Sequence, residues 1–180
     1  MKPTWQDILV MLKPEPYPQE ELEWGYRVPK GDYEVLLERL QNMTLEGQEV
    51  FIRSGMTSFL RMGDTVVGFY TADGDMAVGW CGLYLHAVSV TPGIKFVMKN
   101  WKDNPSVGVK DGDIFYFNDP LYGAAHLPDQ FAIMPIFHDG ELIAWSAAGT
   151  HQTEAGGIDP GGFCLNATTR GIWQISGSGN

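Results

Sequence analysis

Three things are scarce in this sequence, and each scarcity closes off a class of function. Basic charge is the first: 12 Lys and Arg stand against 22 Asp and Glu, for a net charge of −10. A protein that tracks a phosphate backbone needs a basic stripe, and none is visible, so nucleic acid is excluded as a partner. Cysteine is the second. Cys81 and Cys164 lie far apart, with no CxxC step and no zinc-ribbon spacing. They read as free thiols of a reducing cytosol. Long apolar runs are the third. No segment approaches the ~20 apolar residues of a membrane span. The opening "MKPTWQDILVMLKPEPYP" lacks the sustained apolar region and small-residue cleavage site of a signal peptide. The expectation is a cytoplasmic protein with no membrane partner. Neither GxGxxG nor GxxxxGK(S/T) occurs, so the chain shows no way of its own to hold a nucleotide.

What is present suits a packed domain. Of the 180 residues, 44% are hydrophobic and 19% charged, a balance that supports a core. Residues 1–30 read as an N-terminal arm, because Pro14, Pro16 and Pro18 in "KPEPYPQEELEWGY" forbid a regular helix there. From Asp32, read as a cap, Val35, Leu36, Leu40 and Met43 recur at helical spacing. A second or broken helix follows, punctuated by Gly55 and Gly63.

The period then changes. "DTVVGFYTADGDMAVGW" places β-rich runs on both sides of an Asp-Gly step, a hairpin signal. "AVSVTPGIKFVMKNW" predicts a helix starting near Pro92, with Ile94, Val97, Met98 and Trp101 on one face. "VKDGDIFYFND" predicts a turn and a short buried strand. "QFAIMPIFHDGELIAWSAAGTH" predicts a second hairpin turning at "HDGE". The fold class expected is α+β: an antiparallel, hairpin-rich sheet with two or three helices.

The second hairpin organises the chemistry. Its strands are of similar length, so its two ends return to one ladder spacing. His151, after the return strand, therefore falls beside Asp129, before the outgoing one. His126 stands three residues earlier, in "NDPLYGAAHLPDQ". Two imidazoles and a carboxylate at one end of one hairpin suit a divalent ion such as zinc, manganese or iron. Structural readings stand beside this: Asp129 as a turn cap, His126 bonded to a backbone carbonyl. Glu154 reads as a general base, an outer partner or a solvated loop carboxylate. Asp119 reads as ligand, orienting group or Asx-turn former. His138 reads as an exposed turn residue, and His86, between hairpin and helix, as a structural histidine.

Taken together, "TADGDMAVGWCGLYLHAV", "GDIFYFNDPLYGAAHLPDQ" and "AGTHQTEAGGIDPGG" resemble the hydantoinase B/oxoprolinase family. "HLPDQ", "GTHQTEAGGIDPGG" and "NATTR" are most similar to one branch, the large metal-binding subunit of acetophenone and acetone carboxylases. The resemblance implies a metal on His126, Asp129 and His151, adds Asp64 as a fourth ligand, and sets His86 near the active cavity. His86 thereby joins Asp119 and Glu154 among the candidate catalytic groups. The resemblance also implies a hydantoinase A-type partner subunit that binds ATP. The substrate would be a small ketone with bicarbonate or, in the other branch, a cyclic amide such as a hydantoin or 5-oxoproline. Residues 31–170 read as the N-terminal region of a larger hydantoinase B-type subunit. Residues 171–180, "GIWQISGSGN", depart from the pattern, and the expectation is a truncated chain. An inactive remnant or structural subunit is the alternative.

Overall fold

The computed structural model describes residues 4–155. Two short helices open it, α1 (Trp5–Met11) and α2 (Gln19–Arg27), followed by the long α3 (Lys30–Ser54) and a single turn, α4 (Ser58–Arg61). Strands β1 (Thr65–Thr71) and β2 (Met76–Cys81) form the first hairpin. Helix α5 (Tyr84–Trp101), the edge strand β3 (Phe115–Phe117) and a 3-10 turn (Pro120–Tyr122) lead to the long hairpin of β4 (Asp129–His138) and β5 (Glu141–His151). The five strands make one antiparallel sheet in the order β2-β1-β5-β4-β3. The α+β class is as expected, but five α-helices occur among the described residues, more than the two or three predicted.

The differences have physical reasons. Pro14 and Pro16 sit between helices, and Pro18 precedes the first residue of α2, where a missing N–H costs nothing. The arm is therefore helical on both sides of its prolines. Helix α3 begins after Pro29, so Asp32 lies inside its first turn and is not the cap. Helix α5 starts at Tyr84, eight residues before Pro92, and runs through it. Proline removes one ladder hydrogen bond, while Val90, Ile94 and Val97 on this helix are all buried. His86 consequently lies in the first turn of α5 and not in a loop. The strand read as buried is the edge strand β3, and its Tyr116 is 63% exposed.

One face of the sheet packs on α5. Successive cross-strand rows on that face run Tyr70–Trp145–Pro135, Gly68–Ala147–Ile133 and Val66–Gly149–Phe131. Tyr70, Trp145, Val66 and Phe131 are fully buried there with Val90 and Ile94 of α5. The Tyr70 hydroxyl donates to Ala87 O (3.1 Å) and the Trp145 indole to Ala72 O (3.1 Å), so both polar tips are satisfied. Pro135 is tolerated because β3 pairs with residues 131–133, and among the described residues that edge of β4 has no partner strand at Pro135. The long hairpin turns at Asp139 (φ 50°) and Gly140 (φ 83°), the left-handed pair a tight hairpin needs. Among the described residues no helix is long and apolar enough to cross a membrane.

Candidate metal centre

The next row on this face is polar. Asp129 pairs with His151 across β4 and β5, as the hairpin geometry predicts. On the other side, Thr65 pairs with Thr150, which sets Asp64 opposite His151. Residues opposite one another share a face, so Asp64, His151 and Asp129 extend the core rows by one step. The end of β5 ties Asp64 down: its carbonyl accepts from His151 N (3.2 Å) and Thr150 Oγ1 (2.8 Å). Its own N–H donates to Phe59 O (2.9 Å).

His126 reaches this row through a turn. Asp129 N donates to His126 O (3.0 Å), and Gln152 N donates to Pro128 O (2.9 Å). "HLPD" is thus a closed turn clipped to the chain just beyond β5, with Pro128 restricting its backbone. The glycine of "YGAA" has its own cause. Gly123 ends the 3-10 turn at φ +118°, and a Cβ there would lie 2.3 Å from Ser89 O of α5. Only glycine lets the loop pass that close before it turns to His126. This accounts for a histidine and an aspartate following a Gly-Ala-Ala step.

Side-chain atoms of His126, Asp129 and His151 lie within 4.8 Å of one another. His151 Nδ1 is 3.0 Å from Asp129 Oδ1, and His126 Nε2 is 3.5 Å from the same oxygen. Asp129 is 1% exposed. Among the described residues its second oxygen, Oδ2, is buried with no hydrogen-bond partner. A buried carboxylate is costly unless its charge and lone pairs are met. Two imidazoles beside a buried carboxylate that keeps one oxygen unsatisfied form a donor set that fits a divalent cation. Burial pushes the His126 imidazole below its usual value; Asp129 and Asp64 pull it up, His151 and His86 push it further down. The net lowering favours the neutral ring, the form that ligates.

Asp64 stands just outside this group. Its carboxylate is in direct contact with His86 Nε2, from the first turn of α5. His86 is itself buried, with Nδ1 unpartnered among the described residues and its ring edge-on to Phe131 (5.7 Å). Phe131 can lie beneath the row because Gly149 leaves the space: a Cβ there would come within 2.1 Å of that ring. Phe59 closes the other flank, edge-on to His151 at 4.4 Å. Sequence reading named neither Phe59 nor Thr150. Neither carries a local signal, because both act through strand and helix packing.

A profile of the hydantoinase B/oxoprolinase family matches residues 31–174. The chain belongs to this family. It is 40% identical over 168 residues to the acetophenone carboxylase delta subunit of Aromatoleum aromaticum, covering 93% of this chain and 24% of that protein. It is 32% identical over 140 residues to the acetone carboxylase alpha subunit of Xanthobacter autotrophicus, covering 77% and 18%. The fold superposes on nucleotide-free acetone carboxylase with a TM-score of 0.67 at 33% identity, over 72% of this chain and 17% of the other. It superposes on the ATP-dependent caprolactamase of Pseudomonas jessenii with a TM-score of 0.63 at 27% identity, over 76% and 23%. The chain thus spans no more than 24% of the length of any of these relatives.

The other candidate groups of this family member have local partners of their own. Asp119 caps the 3-10 turn by accepting from Leu121 N (2.9 Å), the Asx-turn role. Glu154 is exposed and accepts from Ala155 N (2.9 Å). His138 is an exposed turn residue, 3.6 Å from Asp139. Cys81 is half-buried, and burial raises its thiol pKa, which makes it a poor nucleophile. Cys164, the "NATTR" stretch and residues 171–180 lie outside the described residues.

Proposed function

We propose that this chain carries the metal centre of a hydantoinase B-type subunit that works in ATP-dependent carboxylation of a small ketone. The observation that carries the proposal is the polar row ending the core face, where two imidazoles meet Oδ1 of a buried Asp129 whose Oδ2 is left without a hydrogen-bond partner among the described residues. The 40% identity to an acetophenone carboxylase subunit, over nearly the whole chain, supports a ketone as substrate. His126, Asp129 and His151 hold zinc, manganese or iron, and Asp64 completes the set. Once bound, the ion supplies a Lewis acid that neutralises charge developing on a substrate oxygen.

The chain's own residues do the rest. His86 orients the Asp64 carboxylate from α5. Phe59 and Phe131 shield the imidazoles from water and hold their rings in place. Glu154, three residues beyond His151, is the candidate proton carrier on the substrate side, whereas Asp119 serves as a cap. ATP and bicarbonate enter through a hydantoinase A-type partner subunit, in the cytoplasm. A second reading has its own support: the likeness to caprolactamase favours ATP-dependent hydrolysis of a cyclic amide such as a hydantoin or 5-oxoproline.

Substrate profiling of the metal-loaded subunit with its partner separates the two. Ketone consumption that requires bicarbonate is the expected result. Ring opening of a cyclic amide without bicarbonate selects the hydrolase. Neither reaction, with metal and partner both in place, contradicts both readings and leaves the chain a structural or inactive subunit.

A further inference from the structure

Every residue from Leu12 to Leu36 is exposed. This stretch contains all of α2 and the first turns of α3. Its exposure is not that of a polar surface, since Trp24 is 58%, Tyr26 91% and Tyr33 58% exposed, with Leu22, Val35 and Leu36 beside them. A helix of nine residues has little stability in water without packing, yet α2 contributes no buried residue.

The arm is nevertheless anchored at both ends. At its root, Lys95 of α5 is 7% exposed and donates to Lys13 O (2.7 Å) and Glu15 Oε1 (3.3 Å). It also pairs with Asp75 in the β1–β2 turn (2.8 Å), and Glu15 N donates to the same carboxylate (2.6 Å). At the other end, Thr44 of α3 is buried and Gly47 packs on Val67 of the sheet. Between the root and the sheet's second face lies a cavity of about 480 Å³. Pro16, Tyr17, Leu40 and Met43 line one side, Phe69 and Ile143 the other. An arm rich in exposed apolar side chains thus stands beside a groove whose lining is largely apolar.

We propose that the arm and this groove are a docking surface for a different protein chain, one that presents an apolar patch rimmed by Lys and Arg. Charge selects the occupant. Glu20, Glu21 and Glu23 on α2 and Asp32, Glu34 and Glu38 on α3 outnumber Arg27, Lys30 and Arg39, and the first two of these cations already pair with Glu23 and Glu34 (3.8 Å each). A second copy would oppose the same acidic arm on a chain of net charge −10, and like charges at an interface are penalised. Resting on the function proposed above, the occupant is the ATP-binding subunit.

The test titrates the purified hydantoinase A-type subunit into the full chain at two salt concentrations. Leu22→Ser, Trp24→Ser and Leu36→Ser combined weaken binding by about tenfold or more, as loss of aromatic and aliphatic anchors does. Glu20→Lys with Glu21→Lys weakens it as well and flattens its salt dependence. Metal content and melting midpoint stay at wild-type values in both variants.

Four results overturn the proposal: wild-type affinity in both variants, no binding by the wild-type chain, or self-association that the variants abolish. The fourth is Trp24 already shielded from an aqueous quencher in a longer subunit without the partner, which makes the occupant that subunit's own chain. Metal content is read in the same samples. A chain that binds its partner but holds no ion breaks the reading of the metal centre and leaves the docking surface standing.

Discussion

At the site end of the sheet, charged and polar side chains are buried and aromatic rings enclose them. Along the α2–α3 arm the reverse holds, with tryptophan, tyrosine and leucine in water. The site is built from long-range register. Asp129 and His151 belong to two strands, Asp64 immediately precedes a third and His86 belongs to a helix, so their meeting depends on the whole core. The arm is built locally, from proline-set helix starts and i,i+4 pairs, and its hydrogen-bonded and buried anchors are at its two roots. The contrast teaches that apolar surface alone does not locate the centre of this fold. Burial of polar groups locates the site, and exposure of apolar ones locates the surface left for something else.

The contrast can be broken from the core outward. Trp145→Ala removes the largest fully buried side chain and costs about 3–5 kcal/mol. The denaturant midpoint should fall accordingly, and bound metal should be lost with it, because the polar row sits on the same strands. His86→Ala should leave the fold largely intact and weaken metal affinity by about 10–100-fold, as loss of an outer partner does. His86→Gln, which restores a donor toward Asp64, should recover much of that loss. Equal loss in both variants would mean that His86 only fills space.

At the arm's root the expected change is smaller. Lys95→Met breaks the latch but leaves Asp75 and Glu15 partly in water. About 1–3 kcal/mol is therefore expected from hydrogen bonds to a charged group. Limited proteolysis should then cut between residues 12 and 18 faster than in the wild type. The smallest effect is predicted on the arm itself. Tyr26→Ser should change the isolated chain's stability by no more than about 0.5 kcal/mol. A larger loss would show that the arm packs on its own domain.

How much was legible in the sequence follows the same divide. The β4–β5 hairpin could be read from alternating apolar runs around an Asp-Gly turn, and with it the pairing of Asp129 with His151. His126 followed, because a short proline-containing turn leaves it nowhere else to go. Pro92 concealed the true start of α5: a proline marks helix starts on average, but here burial on both sides of it carries the helix through. The contact between His86 and Asp64 was invisible for that reason, since it needs the first turn of α5 laid against the residue just before β1. The arm's helices were hidden by counting its prolines without asking whether they lay inside a turn or before one. The row of Phe59, Phe131 and Thr150 around the imidazoles had no local pattern to betray it.

The most direct test of the metal centre is elemental mass spectrometry on purified chain equilibrated with zinc, manganese and iron, beside a His126→Ala/His151→Ala variant of matching circular dichroism. About one transition-metal ion per wild-type chain and none in the variant is the expected result. A folded wild-type chain that retains no ion, or a variant that retains as much as the wild type, would contradict the metal centre.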